Sequence, residues 1–169
     1  MKTQFLHEAT SDAKRMFVLA DRLKGGPFDT MEHFLAAFER YSVKVAALTT
    51  AEIDSLVGVD AQRLCDYNRA DWRFDTLDLG ECCVWPRMGN RTWAQGRVTE
   101  VAKLFETHEP KDSRVWSMKQ FADIYSLRLP VIVLKTRSET RIDDGSHRAI
   151  AMALTGIRKV SAWVGILCA

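Results

Sequence analysis

The chain lacks most features that would settle its class at once. No apolar run approaches the ~20 residues that a membrane span requires. The first residues, Met1-Lys2-Thr3-Gln4-Phe5-Leu6-His7-Glu8, contain no signal-peptide core, so a cytoplasmic protein is expected. Only four cysteines are present (Cys65, Cys82, Cys83 and Cys168), and no Cys-x-x-Cys spacing occurs. Cys82 and Cys83 are adjacent; on a strand they point to opposite faces, which makes them a poor zinc pair. Reduced, structural cysteines are the expectation. Charge of one sign is missing too: 24 Lys plus Arg against 22 Asp plus Glu leave a net charge of +2. That excludes a strongly basic protein that coats nucleic acid by bulk charge. No Gly-x-x-x-x-Gly-Lys-[Ser/Thr] loop, no Ser/His/Asp triad pattern, no internal repeat and no low-complexity tract appear.

What remains is ordinary globular usage, 47% hydrophobic and 27% charged residues over 169 positions. A chain this long can bury about 70% of its unfolded surface and needs neither disulfides nor metal to fold. The chain divides by character. Residues 1–70 read as a helical N-terminal segment, with nine positive and ten negative charges. Ser11 or Asp12 is a candidate cap for a helix carrying Met16, Phe17, Leu19, Ala20 and Leu23, which Gly25-Gly26-Pro27 would end. Asp29 or Thr30 opens a second helix, whose stripe runs Phe34, Leu35, Phe38, Tyr41, Val45 and Leu48. Thr50 would open a third, and Val59 to Arg69 a fourth.

Residues 71–169 carry fifteen positive and twelve negative charges and read as α+β with a mixed sheet. Cys82 to Trp85 reads as a short strand. The turn-rich Pro86–Gly96 loop follows, with Arg87, Arg91, Arg97 and two tryptophans. Arginines interleaved with aromatics suit phosphate or single-stranded nucleic acid, or simply a solvated, Trp-anchored loop. Val98 to Phe105 and Met118 to Tyr125 read as helices. Val131-Ile132-Val133-Leu134 reads as a buried strand, and Arg141-Ile142-Asp143 as a second. An alanine-rich helix from Ala149 to Leu154, Gly156 at its C′ position and a strand from Val160 to Val164 complete the pattern.

Asp143-Asp144-Gly145-Ser146-His147-Arg148 is the most informative stretch. Gly145 permits a backbone other residues resist, and lets a ligand come close. Backbone N–H groups at the following helix N-terminus attract anions. Ser146 adds a hydroxyl, while His147 and Arg148 add cationic donors. Asp143 and Asp144 are candidates to hold a divalent cation, and either could accept a proton. A phosphate-plus-metal site is one reading. The plainer one is a capped turn with Arg148 paired to Asp143 or Asp144.

The segment LPVIVLKTRSETRIDDGSHRAIAMALTGIRKVSAWV, Leu129 to Val164, resembles the core of the ParB/sulfiredoxin superfamily. The shared pattern is a Pro-Val-Ile-Val strand, a short hairpin, an Asp-Gly-x-His-Arg loop, an alanine-rich helix, a glycine and a strand. The resemblance implies a ParB/sulfiredoxin-like core over residues 71–169, with Gly145, Ser146, His147 and Arg148 holding the phosphates of ATP, ADP or another nucleotide such as CTP. With the loop's own chemistry, the expectation is Mg²⁺ at Asp143 and Asp144, and Asp144 (as metal ligand or base), His147 and Arg148 as the catalytic group of a kinase or ATPase. Arg87 and Arg91 would add contacts from the first-strand loop. Sulfiredoxin carries cysteine where this chain has Ser146, which speaks against sulfinic-acid repair. Partition proteins carry an arginine-rich box and a following helix-turn-helix. Here Ala169 lies five residues past Val164, which speaks against a DNA clamp. The superfamily's serine kinase has the nearest loop; Glu81, Glu100 and Glu106 are candidates for its upstream glutamate. Two alternatives stand beside the nucleotide enzyme. One is a plasmid or phage nucleic-acid-binding or nuclease module using the basic 87–97 loop. The other is a non-catalytic interaction or inhibitor protein using the 1–70 helices.

Overall fold

A computed structural model describes residues 2–24, 28–85, 95–107 and 113–168, with backbone alone at 2–7 and 113. The chain forms two compact units, Met1–Trp72 and Arg73–Ala169.

The first unit is helical: α1 (Lys2–Leu23), α2 (Met31–Ala46), α3 (Thr50–Val57) and α4 (Ala61–Arg69). Helix α1 packs against the other three, burying Phe17, Val18 and Ala20 with Phe34, Ile53, Val57 and Tyr67. Side chains close the helix starts. Thr30 Oγ1 accepts from His33 N at 3.2 Å, and Asp60 Oδ1 accepts from Arg63 N at 3.1 Å. Helix α3 opens at Thr50, as expected, and is capped by Thr49. A reciprocal box needs an acidic partner three residues on, and Glu52 supplies it for Thr49. Ser11 and Asp12, expected as a cap, lie inside α1. The Lys2–Thr10 stretch contains no helix breaker, so the helix begins earlier. Arg15 reaches the far end of α2, where its guanidinium donates to the carbonyls of Val45 and Leu48 at 2.5 and 2.9 Å. A cation at a helix C-terminus satisfies acceptors that the helix cannot.

The second unit is a mixed sheet with helices. Its elements are β1 (Asp71–Asp78, starting two residues before the unit boundary), a 3₁₀ turn (Leu79–Glu81), β2 (Cys83–Val84), β3 (Gly96–Arg97), α5 (Val98–Thr107), α6 (Ser113–Lys119), α7 (Ala122–Arg128), β4 (Val131–Lys135), β5 (Thr140–Asp144), α8 (Ser146–Leu154) and β6 (Lys159–Ile166). Strand order among the described residues is β1-β6-β4-β5-β2-β3. Thus α+β is the fold class. Strand β4, whose Val131 to Leu134 are all buried, runs parallel to β6 and antiparallel to β5, with a register shift at Ile132/Val133. Strand β2 is parallel to β5 and antiparallel to β3. Helix α8 follows β5 directly and packs on α5, α6 and α7, with Ala149, Ile150, Ala151 and Met152 buried. It ends in a Schellman motif. Gly156 has φ +84°, Gly156 N donates to Ala153 O at 3.1 Å, and Ile157 N donates to Met152 O at 3.0 Å.

Three elements depart from the sequence expectation, one being the two-residue strand β3 at Gly96–Arg97, where the expected loop was to end. Strand β1 was not expected: its Asp-Trp-Arg-Phe-Asp-Thr-Leu-Asp sequence is poor in β-branched residues, because it is an edge strand with one partner and much exposed surface. The single helix expected across Met118–Tyr125 is two, α6 and α7, broken at Gln120-Phe121, where the buried Phe121 starts α7 without a side-chain cap. Among the described residues, no helix is long and apolar enough to cross a membrane.

Candidate anion-binding site

Strand β5 delivers Asp143 and Asp144 in succession. Strand geometry sends neighbours to opposite faces. Asp144 lies fully buried while Asp143 is half-buried, so the sheet does not bring the two carboxylates together. Gly145 follows with φ +95°, the left-handed region that favours glycine, and becomes the N-cap of α8. A glycine cap has no side chain, so the cap residue of α8 makes no side-chain cap bond. The turn itself is closed by Ala149 N donating to Gly145 O at 2.8 Å. The N–H groups of Ser146, His147 and Arg148 head the helix, where no preceding turn supplies carbonyl acceptors. Ser146 and His147 are half-buried there, within reach of solvent.

Arg148 is the unusual member. It is only 4% exposed, and its Nη2 donates to Asp144 Oδ2 at 3.2 Å, one helical turn away. Its Nε, also buried, has no hydrogen-bond partner. The guanidinium lies against Gly145: a Cβ built on that glycine would sit 2.7 Å from Nη2, 3.1 Å from Cζ and 3.1 Å from Val131 Cγ1. Tyr125 of α7, itself buried, faces the same charge. Burial pushes its phenol above the usual range, and the Arg148 guanidinium partly offsets that. An arginine has five N–H donors and stays charged at any physiological pH. Here it is held beside a glycine-capped helix N-terminus with its buried Nε unused. Helix end, guanidinium and left-handed glycine meet at one place, beside the buried Asp144 carboxylate.

No family model, no curated protein and no solved structure matches the chain. The site therefore rests on its own geometry.

The remaining sequence candidates fall elsewhere. Arg87, Arg91 and Trp93 lie outside the described residues, as does His108. Because β2 runs parallel to β5, the chain leaves β2 toward the end of the sheet where β5 delivers Gly145. Trp85, the last described residue there, donates from Nε1 to Glu139 Oε2 at 3.2 Å. Arg97 is exposed and donates to Gly80 O at 3.0 Å. Glu81, Glu100 and Glu106 are all exposed; Glu100 Oε2 accepts from Arg97 N at 3.3 Å, a local helix-start contact. Among the described residues, no group of three or more His, Cys, Asp or Glu side chains is placed to hold a metal ion. Sequence reasoning weighed an Asp144–Arg148 pair but missed the burial of both partners and the nearby Tyr125. The four-residue spacing was the available signal for the pair; nothing in the sequence announced the tyrosine.

Proposed function

We propose that the second unit binds a nucleotide by its phosphates at the N-terminus of α8, in the manner of the ParB/sulfiredoxin superfamily that Leu129–Val164 resembles. One observation carries the reading: a buried arginine with an unused Nε, packed on a left-handed glycine that is the cap residue of α8. Phosphate oxygens would accept from the N–H groups of Ser146 and His147, and the Ser146 hydroxyl would add a donor. The His147 ring and the Arg148 guanidinium would stabilise charge on the outer phosphate, which is what phosphoryl transfer or hydrolysis requires. Asp144 acts through Arg148 as a positioning residue. Mg²⁺ needs few protein ligands when it arrives on phosphates. That suits a site whose two neighbouring carboxylates face apart.

Calorimetric titration of ATP, ADP and CTP with Mg²⁺ tests the reading. Saturable binding of at least one is expected. His147→Ala should weaken it about tenfold, the loss of one charge-assisted contact. Arg148→Lys should weaken it further, because a point charge cannot replace the fork. Absence of binding by all three, or affinities untouched in both variants, overturns the proposal. Phosphate release or transfer by the wild type would then decide whether binding is coupled to catalysis.

A further inference from the structure

The helical unit holds a separate, unassigned cavity of about 620 Å³, within the ~300–1,000 Å³ usual for small-ligand sites. It opens between α1, α3 and the end of α4. At its base lies Lys14, only 5% exposed. The Lys14 Nζ donates to Asp54 Oδ1 and to Asn68 Oδ1, both at 2.5 Å. An ammonium has three donors, so one remains after these two bonds. Lysine is almost never this buried unless it is paired, and Asp54 supplies that pairing. Thr10, Ser11 and Thr50 line the walls with hydroxyls, and Ile53 and Ala70 add apolar surface.

The rim decides the ligand class. Arg69 and Asp71 both line the cavity and both are exposed. Among the described residues, neither side chain is tied up in a hydrogen bond or ion pair, and they do not pair with each other although only two positions apart. With Lys14 and Asp54 cancelling, the described lining residues offer one free cation, Arg69, and one free anion, Asp71. A simple anion would meet Asp71, and a simple cation would meet Arg69. A neutral polyol would use neither charge. A molecule carrying both signs close together satisfies both.

We propose that this cavity binds a small zwitterion of the α-amino-acid type. Its carboxylate is taken by Arg69 and the remaining Lys14 donor, its ammonium by Asp71, and its side chain lies along Ile53 and Ala70. The test uses the full chain. The proteinogenic L-α-amino acids are titrated singly by calorimetry, with acetate and methylammonium as single-charge controls, and amide NMR signals are followed for the best binder. At least one amino acid should bind saturably, with both controls at least about tenfold weaker. Arg69→Gln and Asp71→Asn, both at exposed rim positions, should each weaken binding about tenfold while leaving the circular dichroism spectrum unchanged. Shifted amide signals should cluster at residues 10–14, 50–54 and 68–71. The proposal is overturned if no amino acid saturates the protein, if the controls bind equally well, if both rim variants bind like wild type, or if the shifted signals lie elsewhere.

Discussion

Replacing Asp144 by alanine tests how Arg148 is held. The carboxylate is fully buried and the arginine 4% exposed, so solvent screens their 3.2 Å contact very little. Removing one partner of such a pair strands the other charge in the interior, at a cost of about 3–5 kcal/mol. That is a large share of the ~5–15 kcal/mol that keeps a domain folded. Arg148→Met should also be costly, since it removes the cation that the buried Asp144 carboxylate faces. The double variant Asp144→Ala/Arg148→Met should cost much less than the two single losses added, because neither charge is then left unpaired. Urea unfolding followed by circular dichroism measures all four proteins, and an unchanged m-value certifies that the comparison is of native-state stability. Two results refute the reasoning. One is a loss below about 1 kcal/mol for Asp144→Ala, the range of a solvent-screened surface pair. The other is strict additivity in the double variant.

The two left-handed glycines make a second comparison. Gly156→Ala meets open space and should cost only the backbone term of about 1–2 kcal/mol. Gly145→Ala puts a Cβ 2.7 Å from Arg148 Nη2 as well, and should cost at least about 3 kcal/mol by the same urea measurement. The thiols should separate kinetically. Cys65 and Cys168 are exposed, whereas burial above all, then the charges of Glu81, Cys83 and Asp78, pushes the Cys82 thiol up to about 11. With a thiol-specific chromophoric reagent at pH 8, Cys65 and Cys168 should react promptly and Cys82 only after denaturant is added. The α3 cap should be acid-sensitive. Hydrogen bonds from the backbone N–H and hydroxyl of Thr49 hold the Glu52 carboxylate below its usual value. A depressed folded-state pKa contributes stability that is present above the unfolded value of about 4.3 and lost as pH falls through the folded one. Glu52→Gln should therefore flatten that acidic limb in a pH series of urea midpoints, leaving stability above pH 6 little more pH-dependent than before.

The sequence was most legible where one physical demand acts alone. The Val131–Leu134 run must be buried on both faces, and it is the central strand β4. Gly156 answers a C-terminal geometry that only glycine adopts cheaply, and the Schellman bonds are there. Legibility failed where a residue's meaning depends on a distant partner. Strand β1 becomes a strand through its place beside β6, where Phe74 and Trp163 meet edge-on with centroids 5.2 Å apart. Phe121 breaks a continuous helical pattern by turning into the interior. Lys14 looks like one more polar position of α1. Its meaning comes from Asp54 and Asn68, which lie 40 and 54 residues further along the chain. No local period links those three. The α8 start is intermediate: its glycine, serine, histidine and arginine were visible as an anion-binding pattern, but the orientation and burial of the arginine were not.

That burial is what gives the α8 start its weight as a site. An ion pair inside a protein is a weak source of stability. Taking both charges out of water costs several kcal/mol each, and apolar residues of similar volume often hold the fold as well or better. Asp144 and Arg148 stand where Ile142, Val131 and Ile150 are buried, so leucine or methionine would suit the surroundings. The arginine nevertheless leaves its Nε unused, a cost with no compensating contact inside the protein. It also packs on the left-handed glycine cap of α8, at a helix start whose N–H groups favour an anion. Stability alone gives no reason for that arrangement. A ligand that supplies the missing acceptor does, because Asp144 would fix the guanidinium in advance and leave less ordering to be done on binding. On this view the structural pair and the anion site are two aspects of one device, and Asp144→Ala should weaken nucleotide binding as well as the fold.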